Sequence, residues 1–82
     1  MERNKILVVD DEEDLCEILQ FNLESEGFEV DIANSAEEAL KILNEEHDLI
    51  LLDVMMPGLN GFEVAEKLKE NPETRDIPII FL

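Results

Sequence analysis

The sequence predicts an α/β domain: a doubly wound parallel sheet in the order β-α-β-α-β-α-β, with helices on both faces. Three observations carry this. Short apolar runs alternate with amphipathic stretches along the whole chain. Two of the runs, "KILVV" and "DLILLD", are apolar at successive positions, as strands buried on both faces must be. Each of those two runs ends in an acid, Asp10-Asp11 and Asp53. Eighty-two residues make a single small domain, residues 1–82, with no internal linker or repeat.

The elements follow in order. Lys5 to Val9 reads as the first strand. "EEDLCEILQFNLESE" places Leu15, Ile18, Leu19 and Leu23 at helical spacing, and its leading acids suit the positive end of a helix dipole. Gly27 sits where a left-handed cap is wanted. "FEVDIA" alternates, with Phe28, Val30 and Ile32 to one side and Glu29 and Asp31 to a wet one, which predicts an edge strand. "NSAEEALKILNEE" opens with Ser35 and Glu38 in capping-box spacing and continues with Ala39, Leu40, Ile42 and Leu43. The third strand is "DLILLD". "NGFEVAEKLKE" follows as a helix with Asn60 as cap and Phe62, Val64, Ala65 and Leu68 as its apolar side, "NPETRD" turns, and "IPIIFL" is the fourth strand. His47, between helix and strand among acids, is expected at the surface.

Composition narrows the function. The apolar fraction of 45% is that of a globular chain. A net charge of −16 argues against direct contact with nucleic acid or an anionic membrane, and suits a cation or a basic protein surface. No run is long enough to span a membrane and no secretory leader is evident. The single Cys16 has no partner for an internal disulfide, so the expected location is cytoplasmic and the thiol is expected to be packed.

Right-handed crossovers with the first helix on one face and the later helices on the other place the reversal of strand order between the first and third strands. Ligands of such sheets bind beyond the carboxyl ends of strands at that reversal. There Asp10, Asp11 and Asp53 would share one cleft. Two carboxylates about 4 Å apart repel by roughly 4 kcal/mol at an effective dielectric of about 20. Hard oxygens without His or Cys suit Mg²⁺, and a carboxylate beside that ion can attack phosphorus. Capping of the first helix by Asp10-Asp11, and a polar stop at Asp53, remain alternatives. The coincidence of acids on two neighbouring strand ends favours the cation. Glu12, Glu13 and Asp14 are expected in a solvated first turn, and Met55 and Met56 in loop packing.

"ILVVDDEEDL", "DLILLDVMMPGLNGFEV" and "IPIIFL", in this order, resemble the receiver domain of bacterial two-component response regulators over all 82 residues. The acid pair together with D-x-x-M-P-x-x-x-G carries the likeness. The resemblance implies an incomplete flavodoxin-like sheet of order 2-1-3-4, lacking the fifth strand and fifth helix. It implies that Asp53 accepts a phosphoryl group from a sensor histidine kinase. Asp10 and Asp11 would bind Mg²⁺ with Asp53, and Met55 would add its backbone carbonyl. Pro57 and Gly61 match the loop that shapes the site.

The family's switch hydroxyl at the end of the fourth strand and its lysine at the end of the fifth have no counterpart among these residues. Arg3, Lys5, Lys41, Lys67, Lys69 and Arg75 all fall elsewhere. The expectation is a C-terminally truncated receiver, impaired in phosphorylation and switching. Its apolar fourth strand would be exposed for self-association or exchange of elements between copies. The resemblance implies a signalling domain and not an enzyme. Two alternatives are a passive acidic protein-interaction module and an aspartyl-nucleophile phosphatase or phosphotransferase; the latter usually carries a second acid where Met55 stands.

Overall fold

Seven elements alternate in the computed structural model, which describes residues 4–55 and 61–82: β1 (Lys5–Val9), α1 (Glu13–Ser25), β2 (Glu29–Ala33), α2 (Ala36–Ile42), β3 (Leu49–Leu52), α3 (Gly61–Glu70) and β4 (Ile79–Phe81). The strands form one parallel sheet in the order β2-β1-β3-β4. The reversal falls between β1 and β3, as the acid-ended runs predict. The expectations for Arg3, Met56, Pro57 and Asn60 lie outside the described residues.

β1 occupies the centre because its residues are apolar on both sides. Leu7 and Val9 face α2 and α3 and pack with Ile50, Leu52, Ala39 and Val64. Ile6 and Val8 face α1 and pack with Cys16 and Val30. Alternation of side chains along a strand thus feeds two cores from one segment.

The helix ends follow local chemistry. At the end of α1, Gly27 takes φ +96°, a region in which a Cβ is disfavoured. Its N–H donates to the Glu24 carbonyl (3.0 Å) and the Phe28 N–H to that of Leu23 (3.1 Å), the paired bonds of a Schellman end. Ser35 caps α2 by accepting from the Glu38 N–H at 3.0 Å. The Glu38 carboxylate reaches back to the Asn34 N–H (3.3 Å), one residue before the cap.

Several expectations need correction. His47 is buried: its side chain is 0% exposed, Nε2 lies 2.8 Å from Asp31 Oδ2, and Nδ1 accepts from the Asn44 N–H. The ring proton therefore sits on Nε2 and donates to Asp31. The expected wet face of β2 keeps Glu29 exposed, while Asp31 is half-buried by its bond to His47 and Ala33 closes the strand fully buried. The second helix stops at Ile42 instead of running on to the acids before His47. Leu43 turns extended, and the Asn44 side chain accepts from the Glu46 N–H (2.8 Å), a local bond that competes with helix.

Leu15, Ile18, Leu40 and Phe62, expected to face inward, are exposed. The inward stripe of α1 is Cys16, Leu19 and Leu23: Leu19 and Leu23 face inward as expected, and Cys16 stands where Leu15 and Ile18 were expected to contribute. On α3 it is Val64 and Leu68. β4 lies at the sheet edge as expected, with Ile80, Phe81 and Leu82 exposed and the Phe81 ring 5.0 Å from that of Phe62. No described helix is long and apolar enough to cross a membrane.

Candidate functional site

The site is a product of register. Val9 pairs with Ala33 on one side and Leu52 on the other, so the next residues, Asp10 and Asp53, leave adjacent strands side by side. Backbone bonds carry the ladders one step further: the Asp10 N–H donates to the Ala33 carbonyl (3.1 Å) and the Asp53 N–H to that of Val9 (2.9 Å). Carboxylate oxygens of Asp10, Asp11 and Asp53 then lie within 4.8 Å of one another. All three sequence-predicted acids are brought together. Asp10 is buried (3% exposed), Asp53 half-buried and Asp11 exposed.

Two of the acids are held by the same device. Asp10 Oδ1 accepts from the Glu12 N–H (2.9 Å) and Asp53 Oδ1 from the Met55 N–H (3.0 Å). Each is a side chain bonding to the backbone two residues on, a turn that Asp favours. Among the described residues these are the only N–H groups that donate to the two carboxylates, and the second oxygen of each is left without an N–H donor. Neither Asp10 nor Asp11 caps α1. The cap position is Glu12, whose side chain makes no capping bond, and Glu13 and Asp14 occupy the first turn.

The electrostatics are uncompensated. Burial pushes the Asp10 carboxyl above its ordinary value; the charges of Asp53 and Asp11 add to the rise, against the Glu12 N–H bond. Burial and the Asp10 charge likewise push up the Cys16 thiol. That thiol is packed, as expected, with Sγ 3.4 Å from the Asp10 carbonyl. At separations of at most 4.8 Å each pair of charged carboxylates would repel by about 3.5 kcal/mol or more at an effective dielectric of about 20. None of the ion pairs among the described residues involves the three acids. Lys5 is engaged at the far end of β1 with Asp31 and Glu46.

This donor set fits Mg²⁺. It offers hard oxygens, two of them presented singly, and no nitrogen or sulfur ligand aimed at the cluster. Met55, expected in loop packing, is instead exposed and anchors the turn through its N–H. Sequence reasoning missed Asn34, whose Nδ2 donates to the Asp10 carbonyl at 2.9 Å. The signal was available in the pairing pattern. Residue 34 is the first beyond β2, opposite the first residue beyond β1.

Comparison with known proteins agrees with this geometry. The profile of the response regulator receiver domain matches residues 6–82. The chain is 47% identical over 79 residues to the phosphate regulon transcriptional regulatory protein PhoB of Rhizobium meliloti, covering 95% of this chain and 35% of that protein. Among solved structures it is similar to the N-terminal domain of a response regulator receiver protein from Methanoculleus marisnigri. There the TM-score is 0.89 and the identity 42%, over 94% of this chain and 63% of that one. It is also similar to response regulator protein TrrA of Thermotoga maritima, determined in complex with Mg²⁺-BeF. That match has a TM-score of 0.84 and 43% identity, over 95% and 67% of the two chains. The chain spans about a third of the length of the curated relative it matches. With strand order, acid cluster and sequence in agreement, the chain belongs to the receiver domain family of two-component response regulators.

Proposed function

We propose that Asp53 accepts a phosphoryl group from a phosphohistidine of a sensor histidine kinase, beside a Mg²⁺ held by Asp10, Asp11, Asp53 and the Met55 backbone carbonyl. The single observation that carries this is the gathering of three carboxylates within 4.8 Å with no compensating cation among the described side chains. A bound Mg²⁺ supplies charge neutralisation at the phosphoryl oxygens. The chain's own residues do the rest. The Met55 N–H holds one Asp53 oxygen, which fixes the direction of the other. An Asp53 oxygen forms the new bond to phosphorus as the phosphorus–nitrogen bond breaks, and the electron pair returns to the donor's imidazole. Met55 lies where an aspartyl phosphatase would carry a second acid, which speaks against the enzyme alternative.

No lysine pairs with the cluster among the described residues, so these 82 residues assayed alone are expected to take up phosphoryl groups slowly. The test is incubation with a small acyl-phosphate donor, read by intact mass. A slow gain of one phosphoryl group, dependent on Mg²⁺ and absent in Asp53→Asn, is expected. Labelling that persists in Asp53→Asn refutes the assignment. Failure to bind Mg²⁺ at all leaves the passive interaction module as the reading.

The exposed Ile80, Phe81 and Leu82 support a second expectation, association of two copies through β4 or by exchange of elements. Sedimentation showing only monomer at tens of micromolar would remove it.

A further inference from the structure

Asp10 differs from the other two acids in being buried, so its side chain goes where its backbone puts it. That backbone is held from three directions. The N–H donates to Ala33, the last residue of β2. The carbonyl accepts from Asn34 Nδ2 at 2.9 Å and faces Cys16 Sγ at 3.4 Å. A thiol is a weak donor, so the carboxamide is the principal partner of a carbonyl withdrawn from water. The chain cannot supply that partner from its backbone. Beyond Ala33 it turns into the Ser35 cap, and the Asn34 N–H is committed to the Glu38 carboxylate. The carboxamide of Asn34 therefore replaces the rung that a longer β2 would have given.

From this geometry we infer that Asn34 is a positioning residue of the cation site. Its carboxamide fixes the turn that aims the Asp10 carboxylate at Asp53, while its backbone N–H is held by the Glu38 carboxylate of α2. The inference rests on the cation reading above and adds a residue to it. No bond joins Asn34 to the Asp53 carboxylate; its carboxamide reaches the site through the Asp10 carbonyl, with a longer contact to Cys16 Sγ at 3.6 Å.

A merely structural asparagine would move stability and leave metal affinity untouched, so the two are measured together. Mg²⁺ affinity is read by calorimetric titration at fixed ionic strength, and stability by metal-free denaturation. Outer-sphere partners of metal ligands typically govern affinity by tenfold or more, so Asn34→Ala is expected to weaken Mg²⁺ binding about tenfold. Asn34→Asp keeps the shape, removes the donor and adds a negative charge. Charge alone would tighten Mg²⁺ binding; loss of the donor is expected to weaken it. Ser35→Ala, which uncaps α2 but spares the carboxamide, is the control for lost stability and is expected to leave the affinity unchanged.

An Asn34→Ala chain that binds Mg²⁺ as tightly as the unaltered chain, or a tighter Asn34→Asp, overturns the assignment. Should the variants fail to fold, the unaltered chain decides. The Asn34 side-chain amide resonances are expected to shift on Mg²⁺ addition together with the Asp10 amide, and their remaining still overturns the assignment. An unaltered chain that does not bind Mg²⁺ sinks the cation reading itself, a different failure from one confined to Asn34.

Discussion

The two ends of the sheet are both rich in acids and treat them in opposite ways. Toward the amino ends of the strands, Asp31 accepts from the buried His47 and lies 3.6 Å from Lys5 Nζ; Glu46 lies 3.8 Å from the same ammonium. Asp48 accepts from the Lys5 backbone N–H at 2.9 Å. At the carboxyl ends, Asp10, Asp11 and Asp53 converge, Asp10 and Asp53 each accepting one backbone N–H, and no ion pair among the described residues includes any of the three. One end spends its acids on structure, the other holds them in mutual repulsion. Carboxylates neutralised at one end and, among the described residues, left without a cationic partner at the other mark the second cluster as the functional candidate.

The sharpest way to break this contrast is at Asp53. Asp53→Asn is expected to abolish phosphoryl uptake while leaving the fold intact, since an amide oxygen can still accept from the Met55 N–H. Loss of folding by circular dichroism would show Asp53 to be structural after all. His47→Ala probes the other end and should do the reverse. Removing a fully buried ring and the donor to Asp31 is expected to cost about 2–4 kcal/mol in denaturant titration, with Mg²⁺ affinity unchanged. A matching fall in metal affinity would mean that the two ends are not independent.

Asp10→Asn tests the repulsion itself. The Asp10 carboxyl titrates above its ordinary value, with burial as the leading cause. Its favourable contribution to stability is thus fully present below the unfolded value of 3.8 and is lost as pH rises through the raised folded value. At neutral pH and without metal the ionised group opposes folding. Asp10→Asn is therefore expected to be more stable than the unaltered chain at pH 7, with the gap closing toward pH 3, and to bind Mg²⁺ less well. Equal stability at both pH values would contradict it. Lys5→Met carries the smallest effect. Its pairs are partly exposed, so the loss is expected to be under about 1 kcal/mol and to shrink with added salt.

How much of this could be seen in the residues depends on how local the cause is. Strand order and the acid cluster were legible because uninterrupted apolar runs demand burial on both faces, and acids at their ends mark where the ladder stops. Gly27 and the Ser35–Glu38 pair were legible because their bonds close within a turn. His47 was not. Its burial depends on Asp31, sixteen positions away in sequence and on another element, and a histidine among acids looks solvated. The exposure of Leu15 and Ile18 on α1 was hidden for a related reason. Leu15, Ile18 and Phe21 are as apolar as Leu19 and Leu23, and only the shape of the sheet beneath chooses between them. Asn34 could have been found by writing out the parallel register, since Val9 opposite Ala33 places residue 34 beside Asp10.

The register also has a bearing on how the chain folds. β1 meets β2 at a separation of 24 residues (Lys5 with Glu29) and β3 meets β4 at 29 (Ile50 with Ile79), whereas β1 meets β3 only at 43 (Ile6 with Leu49). Closing the longest of these loops costs about 0.5 kcal/mol more entropy than the shortest, before any docking of helices. Two β-α-β units, β1-α1-β2 and β3-α3-β4, are therefore expected to close first and then join along β1 and β3. Asp10 and Asp11 belong to one unit and Asp53 to the other. The acid cleft is the seam between them, so an ion that binds both sides also favours the last joint to form.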